Sequence, residues 1–237
     1  MDGAHTHCRS RGGDGFAFVV QEDAPDALGA EGAGLGYDGV NNSLAVEFDT
    51  FYNPELLEPY ENHVAVHTRG FRRANSAHHE AALASSSKLP DLGTFPDPRS
   101  EVRAVRVVYD PVLDPTLVVP DTFEATPHAA EFFTNAEFAL GGLPDFGIGV
   151  GTLSVFVDDL FSPKLVTPVN LDALLKLHHG RAYVGISAST GLDTWQVHDV
   201  LQWNFTMLRK DPLADMPPLV NGAGAHACVD PRTCVHA

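Results

Sequence analysis

The sequence predicts an all-β protein built as an antiparallel sandwich, and three observations carry that expectation. Short alternating or β-branched runs recur along the chain. Turns bearing glycine and proline separate them, and the one compact helical pattern is the Leu-rich stretch Leu171 to His178. At 237 residues, with 44% hydrophobic and 19% charged side chains, the chain has globular composition and suits one large β domain.

Taken in order, Phe16-Ala17-Phe18-Val19-Val20 lies between glycines and acidic turn residues, so Gly15 to Gln21 reads as a buried strand. Asp23 to Gly39 is rich in glycine and alanine without a period and reads as a loop. It leads into a second strand, Ser43 to Phe51, which carries acids in an apolar setting. His63 to Thr68 and Glu101 to Tyr109 alternate polar and apolar and read as strands with one face in the core. Thr152 to Asp158, Arg181 to Ser189 and Val200 to Met207 complete the set. Leu113 to Val150, with its prolines, acids and Phe132-Phe133, reads as a long insertion, and the tail from Asp211 as lying outside the core.

The formal net charge of −16, from 31 acidic and 15 basic residues, repels phosphate backbones and anionic lipid, so nucleic acid is excluded as a partner. No run of about 18 apolar residues is present to span a membrane. Met1 to Gly13 lacks the apolar stretch of a secretory signal. Of three cysteines, Cys228 and Cys234 lie close enough to bridge and Cys8 is left over.

Chemistry concentrates on the second strand. Residues two apart on a strand share a face, so Glu47 and Asp49 project together, about 7 Å apart along the backbone. Two facing carboxylates repel unless a proton, a base or a cation neutralises them. The following loop offers Asn53, Glu58 and His63, and the Phe51 carbonyl adds a hard oxygen. Oxygen-rich ligation suits Ca2+, and an imidazole added to carboxylates favours Mn2+ beside it. A two-ion site sharing carboxylates is the economical reading.

The order Glu47-x-Asp49-x-Phe51-x-Asn53, then Glu58-Pro59 and His63-Val64-Ala65-Val66, resembles the metal loop of the legume-type (L-type) lectins. The resemblance implies a concanavalin A-like jelly roll that binds glycans or glycoproteins and is not an enzyme. It assigns Glu47 and His63 to manganese, Asp49 and Glu58 to both ions, and Phe51 and Asn53 to calcium. The family's aspartate-proline stands here as Glu58-Pro59. For the sugar it implies Asp14, often after a cis peptide in the family; a backbone N–H near Ala33 in the Gly32 to Tyr37 loop; Asn53; and Leu192 or Asp193 in the variable loop, where Trp195 offers a stacking face. His198 to Thr206 resembles the closing strand. The expected domain is 12–207 with an insertion at 113–150 and a tail at 208–237. The family's opening strands have no counterpart before Asp14, so a fragment is expected. The resemblance also implies the secretory pathway, and homo-oligomer formation is left open.

The acid pair admits two rival readings. Some glucanases place acids at alternate strand positions for hydrolysis, but the third such position here is Phe51. A structural or interaction sandwich that keeps the signature without binding is the other. His78-His79-Glu80 reads as solvated surface, and the tail set His226, Cys228, Cys234 and His236 lacks standard zinc spacing.

Overall fold

The computed structural model describes residues 12–87, 89, 92, 102–123, 126–134, 150–177, 181–191 and 196–207. Among the described residues, eight strands and two α-helices run in the order β1 (Gly15–Gln21), β2 (Ser43–Asp49), β3 (His63–Thr68), β4 (Ala82–Ser85), β5 (Val105–Asp110), α1 (Pro127–Thr134), β6 (Gly151–Val157), β7 (Leu165–Val169), α2 (Leu171–Leu175) and β8 (Tyr183–Ser189). One sheet has the strand order β4-β3-β2-β1-β8, the other β5-β6-β7, and every pairing is antiparallel. The all-β sandwich expected from the alternating runs is the fold.

Strand parity decides what each face does. On β2, Leu44, Val46 and Phe48 enter the main core with Val64 and Val66 of β3, Leu153, Val155 and Val157 of β6, and Leu165 and Val169 of β7. Phe16 of β1 stacks on Phe48 at 4.6 Å between ring centroids. The alternate residues Ala17, Val19 and Ala45 face the other way, where Leu35 and Tyr37 of the 22–42 loop cover them in a second cluster. All seven residues of β2 are therefore buried. Gly15 is demanded by close approach: a Cβ there, at φ +147°, would lie 2.3 Å from the Phe48 carbonyl oxygen.

Several sequence expectations need adjusting. The strand expected from Glu101 begins at Val105, and the one expected through Phe51 ends at Asp49. Val200 to Met207 is not a strand. Alternation alone does not make one without a ladder partner. The segment instead lies against β1, with the Trp203 ring 6.0 Å from Phe18, and leaves Val200, Leu201 and Met207 exposed. Inside the stretch expected as an insertion, α1 brings Ala129 and Phe132 into the main core. Its start is fixed by Thr126, whose hydroxyl accepts the Ala129 N–H at 3.0 Å, and by Pro127 in the first turn. β4 and β7 had no sequence expectation. α2 falls within the expected helix and is capped by Asn170, which accepts the Ala173 N–H at 3.0 Å.

Candidate functional site

The polar residues of the site stand on the loop-covered face of the five-stranded sheet. Antiparallel register sets Glu47 opposite Ala65 on β3 and Ala17 on β1, while Asp49 faces His63 and Ala45 faces His67. Two small neighbours leave room around the Glu47 carboxylate, and the two histidines lie on its diagonals. His67 Nε2 is 2.9 Å and His63 Nε2 3.3 Å from Glu47 Oε1. The other oxygen, Oε2, accepts the Tyr37 hydroxyl at 2.6 Å. Neither His67 nor Tyr37 was singled out from sequence. The signal was there for His67, which is two alternate positions beyond His63 and so shares its face.

The remaining carboxylates are turned to backbone donors. Asp49 Oδ1 accepts the Phe51 N–H at 2.8 Å, and Glu58 accepts the Asn53 N–H in a short bond. Glu47, Asp49, Asn53, Glu58 and His63 are all buried. Burial pushes the Asp49 carboxyl up to about 10, with the charges of Glu58 and Glu47 adding to it. Burial likewise raises Glu58 to about 8, against the Asn53 N–H and with the charges of Glu47, Glu55 and Asp14. Glu47 goes the other way: burial raises it, but the His67 and His63 imidazoles outweigh burial and hold it below the usual carboxylate range. His67 answers in kind, since burial lowers it and Glu47 more than reverses that.

Asp14 enters from the start of β1. Its peptide bond with Gly13 is cis, its carbonyl accepts the Thr50 N–H and hydroxyl at 3.0 and 3.1 Å, and its N–H donates to Ser189 at 2.9 Å. Its carboxyl is buried, and burial together with Glu55 raises its pKa. The 32–36 loop is tied to β8, where Ser189 and Ser187 hydroxyls donate to the Gly32 and Leu35 carbonyls at 2.6 and 2.7 Å. A side chain at Gly32 would come within 3.8 Å of Asp14 Oδ2. The structure thus brings Asp14 beside the loop that holds Ala33. Leu192, Asp193 and Trp195 lie outside the described residues, as do Cys8, Cys228, Cys234 and the tail histidines. His79, expected at the surface, is half-buried with its Nδ1 unpartnered.

Several polar atoms here have burial without a hydrogen bond: Asp14 Oδ2, Asn53 Oδ1, and Nε2 of His63 and His67. Nε2 of both rings faces Glu47 Oε1 in an ion-pair contact. Orphaned oxygens and ring nitrogens beside carboxylates that resist ionisation form a donor set that fits a divalent cation. Among the described residues, no three Asp, Glu, His or Cys side chains already surround one centre.

Fold and site together define a β-sandwich protein with a buried acid and imidazole centre at one end of a sheet, beside a glycine-bearing loop. Residues 4–92 match the sequence model of the legume lectin domain, so the resemblance carried by the Glu47 to His63 motif holds over this stretch. The chain is similar to a lectin-like protein of Arabidopsis thaliana, at 43% identity over 61 residues covering 23% of this chain and 22% of the relative. It is also similar to L-type lectin-domain containing receptor kinase IV.2 of the same organism, at 38% identity over 79 residues, covering 30% and 12%. The chain therefore spans less than a quarter of the length of these relatives.

Proposed function

We propose that this chain is a carbohydrate-binding lectin domain whose sugar site is organised by Ca2+ and Mn2+ on the Glu47 to His63 segment. The observation that carries the reading is the convergence of buried Glu47, Asp49 and Glu58 with the orphaned oxygens of Asp14 and Asn53, inside the stretch that matches the legume lectin domain. Bound cations would supply positive charge that keeps these carboxylates ionised and fixes the loop. Glu47 and His63 would hold manganese, Asp49 and Glu58 would serve both ions, and Asn53 with the Phe51 carbonyl would serve calcium.

The chain's own groups then define the ligand. A carboxylate at Asp14 accepts hydrogen bonds from two neighbouring hydroxyls of a sugar, and each such charge-assisted bond is stronger than a neutral one. Its backbone is held on both sides, by Thr50 and Ser189, so little ordering is left for ligand binding to impose. The Asn53 amide and the backbone N–H near Ala33 would donate to the same sugar. A neutral glycan suits an acidic chain better than an anionic one.

Hydrolysis by the acid pair finds no support in the geometry. Glu47 is taken up by the Tyr37 hydroxyl and the His63 and His67 rings, and Asp49 accepts the Phe51 N–H, whereas a glycosidase needs a carboxyl free to protonate the glycosidic oxygen. The test of the lectin reading is a glycan array probed with the chain and with Asp14→Asn. Binding that the substitution reduces about tenfold or more, as loss of a charge-assisted bond requires, supports the reading. Undiminished binding overturns the role of Asp14, and no bound glycan overturns the lectin itself.

A further inference from the structure

Two tripeptides of the chain, Asn41-Asn42-Ser43 and Asn204-Phe205-Thr206, have the Asn-x-Ser/Thr pattern that accepts an N-linked glycan. The fold presents them in opposite ways.

The first is built into the end of the five-stranded sheet. Asn41 bridges to Ala74, and its backbone N–H and side-chain amide both donate to Asp23 Oδ2, at 3.2 and 3.3 Å. Asn42 sits in the left-handed region at φ 48°, and its N–H donates to the Arg73 carbonyl at 3.1 Å. Ser43 opens β2, is 1% exposed, and donates its hydroxyl to the Val40 carbonyl at 3.1 Å. A glycan acceptor must offer both its amide and the hydroxyl two residues on. Here the amide is engaged and the hydroxyl is buried.

The second tripeptide is held in place without being covered. Gln196 accepts the Thr50 hydroxyl at 3.1 Å, the His198 ring lies 5.8 Å from Phe16, and the Trp203 ring lies 6.0 Å from Phe18. These contacts fix the segment against β1, yet every residue from Asp199 to Met207 is exposed. Among the described residues, neither the Asn204 amide nor the Thr206 hydroxyl forms a hydrogen bond. Leu201, Phe205 and Met207 beside them are 71%, 45% and 71% exposed. An apolar, strand-like segment with no ladder partner among the described residues invites pairing with another chain. A bulky, hydrated glycan rooted in it opposes that approach.

We propose that Asn204, and not Asn41, carries an N-linked glycan, and that this glycan keeps the Val200 to Met207 segment from associating between chains. The donor is an oligosaccharide on a polyprenyl diphosphate. The Asn204 amide nitrogen bonds to C1 of the first sugar, the bond from C1 to the diphosphate oxygen breaks, and the lipid diphosphate and the amide proton leave. The transfer belongs to the secretory pathway, the compartment that the family resemblance implies. It is independent of the proposed sugar site, since it uses none of that site's residues.

The test produces the full chain behind a secretion leader in eukaryotic cells, as the native sequence, Asn41→Gln and Asn204→Gln. Enzymatic release of glycans in heavy-oxygen water labels each occupied asparagine for mass spectrometry. The label is expected at Asn204 in the native chain and in Asn41→Gln, and is expected to be lost in Asn204→Gln. An unlabelled Asn204 in the secreted chain, or equal labelling at Asn41, overturns the assignment. Incubating the folded, unglycosylated native chain with an oligosaccharyltransferase and its lipid-linked donor covers the case of a variant that does not fold. Transfer to Asn204 is expected there, and transfer to Asn41 or to neither contradicts the assignment. Sedimentation before and after glycan removal reads the second half of the proposal. A shift to dimers and larger species on removal is expected, and an unchanged distribution overturns the shielding role.

Discussion

Glu47 of β2 and His67 of β3 approach to 2.9 Å although they are not register partners, because Glu47 pairs with Ala65 and reaches His67 on the diagonal. A small residue opposite an acid thus opens a space that two imidazoles enter from either side. That relationship separates this face of the sheet from the apolar face behind it, and it bears on how the protein responds to pH and to substitution.

The response to pH follows from the sign of each shift. Asp49 and Glu58 have ordinary values of 3.8 and 4.5 and are raised in the fold to about 10 and about 8. Above their ordinary values the folded chain binds more protons than the unfolded one, so stability falls as pH rises. Their contribution is full near pH 4 and is lost as pH passes through about 8 and then about 10. His67, also raised, adds in the same direction. Glu47 is lowered and acts oppositely, losing its contribution only as pH falls below its ordinary value. In chelator, the melting temperature should therefore decline from pH 5 to pH 9, and calcium should close the gap at the alkaline end. A melting temperature that rises across this range in chelator would show that these acids are not held protonated.

Asp14→Asn separates function from stability. The carboxyl is buried with one unpartnered oxygen and a raised pKa, so an amide of the same shape relieves a cost while it removes the charged acceptor. Stability is expected to stay level or rise by up to about 1 kcal/mol. A denaturation midpoint lowered by the substitution would mean that the Asp14 charge is structural.

Tyr37→Phe removes the hydroxyl that donates to Glu47 at 2.6 Å in a fully buried setting. One carboxylate oxygen then lacks a donor, at a cost of about 1–3 kcal/mol. Urea denaturation measures it, and a change within about 0.5 kcal/mol, the range of ordinary surface substitutions, would remove the hydroxyl from the account of the site.

Phe132→Ala tests whether the stretch between β5 and β6 belongs to the core. Phe132 is buried beside Ala129 in the main cluster, and its ring meets His128 at 4.7 Å. A loss of about 3–5 kcal/mol is expected, whereas a near-neutral effect fits a detachable insertion.

Much of this was legible beforehand. Gly15–Gln21 and His63–Thr68 were bounded residue for residue, because glycine and acidic turn residues mark their ends and a steady apolar or alternating run fills them. The burial of Glu47 and Asp49 followed less directly. Their shared face is read from parity, but that a loop covers this face depends on Leu35 and Tyr37 folding back onto Ala17 and Ala45, a contact with no local signature. His67 escaped notice because a histidine in an alternating strand reads as its solvent side, and only register shows it aimed at an acid. β4 was missed since Ala82–Ser85 is short and weakly patterned, its strand state coming from pairing with β3. The reverse error at Val200 to Met207 has the same origin, a strand-like sequence that pairs with no strand among the described residues.

The most direct measurement is glycan binding by the intact chain as free calcium is varied, with folding followed by circular dichroism in the same samples. Binding that disappears in chelator, returns with calcium and manganese, and does so without loss of the β-sheet spectrum is the result expected of a cation-organised lectin site. Binding of equal strength in chelator would contradict it.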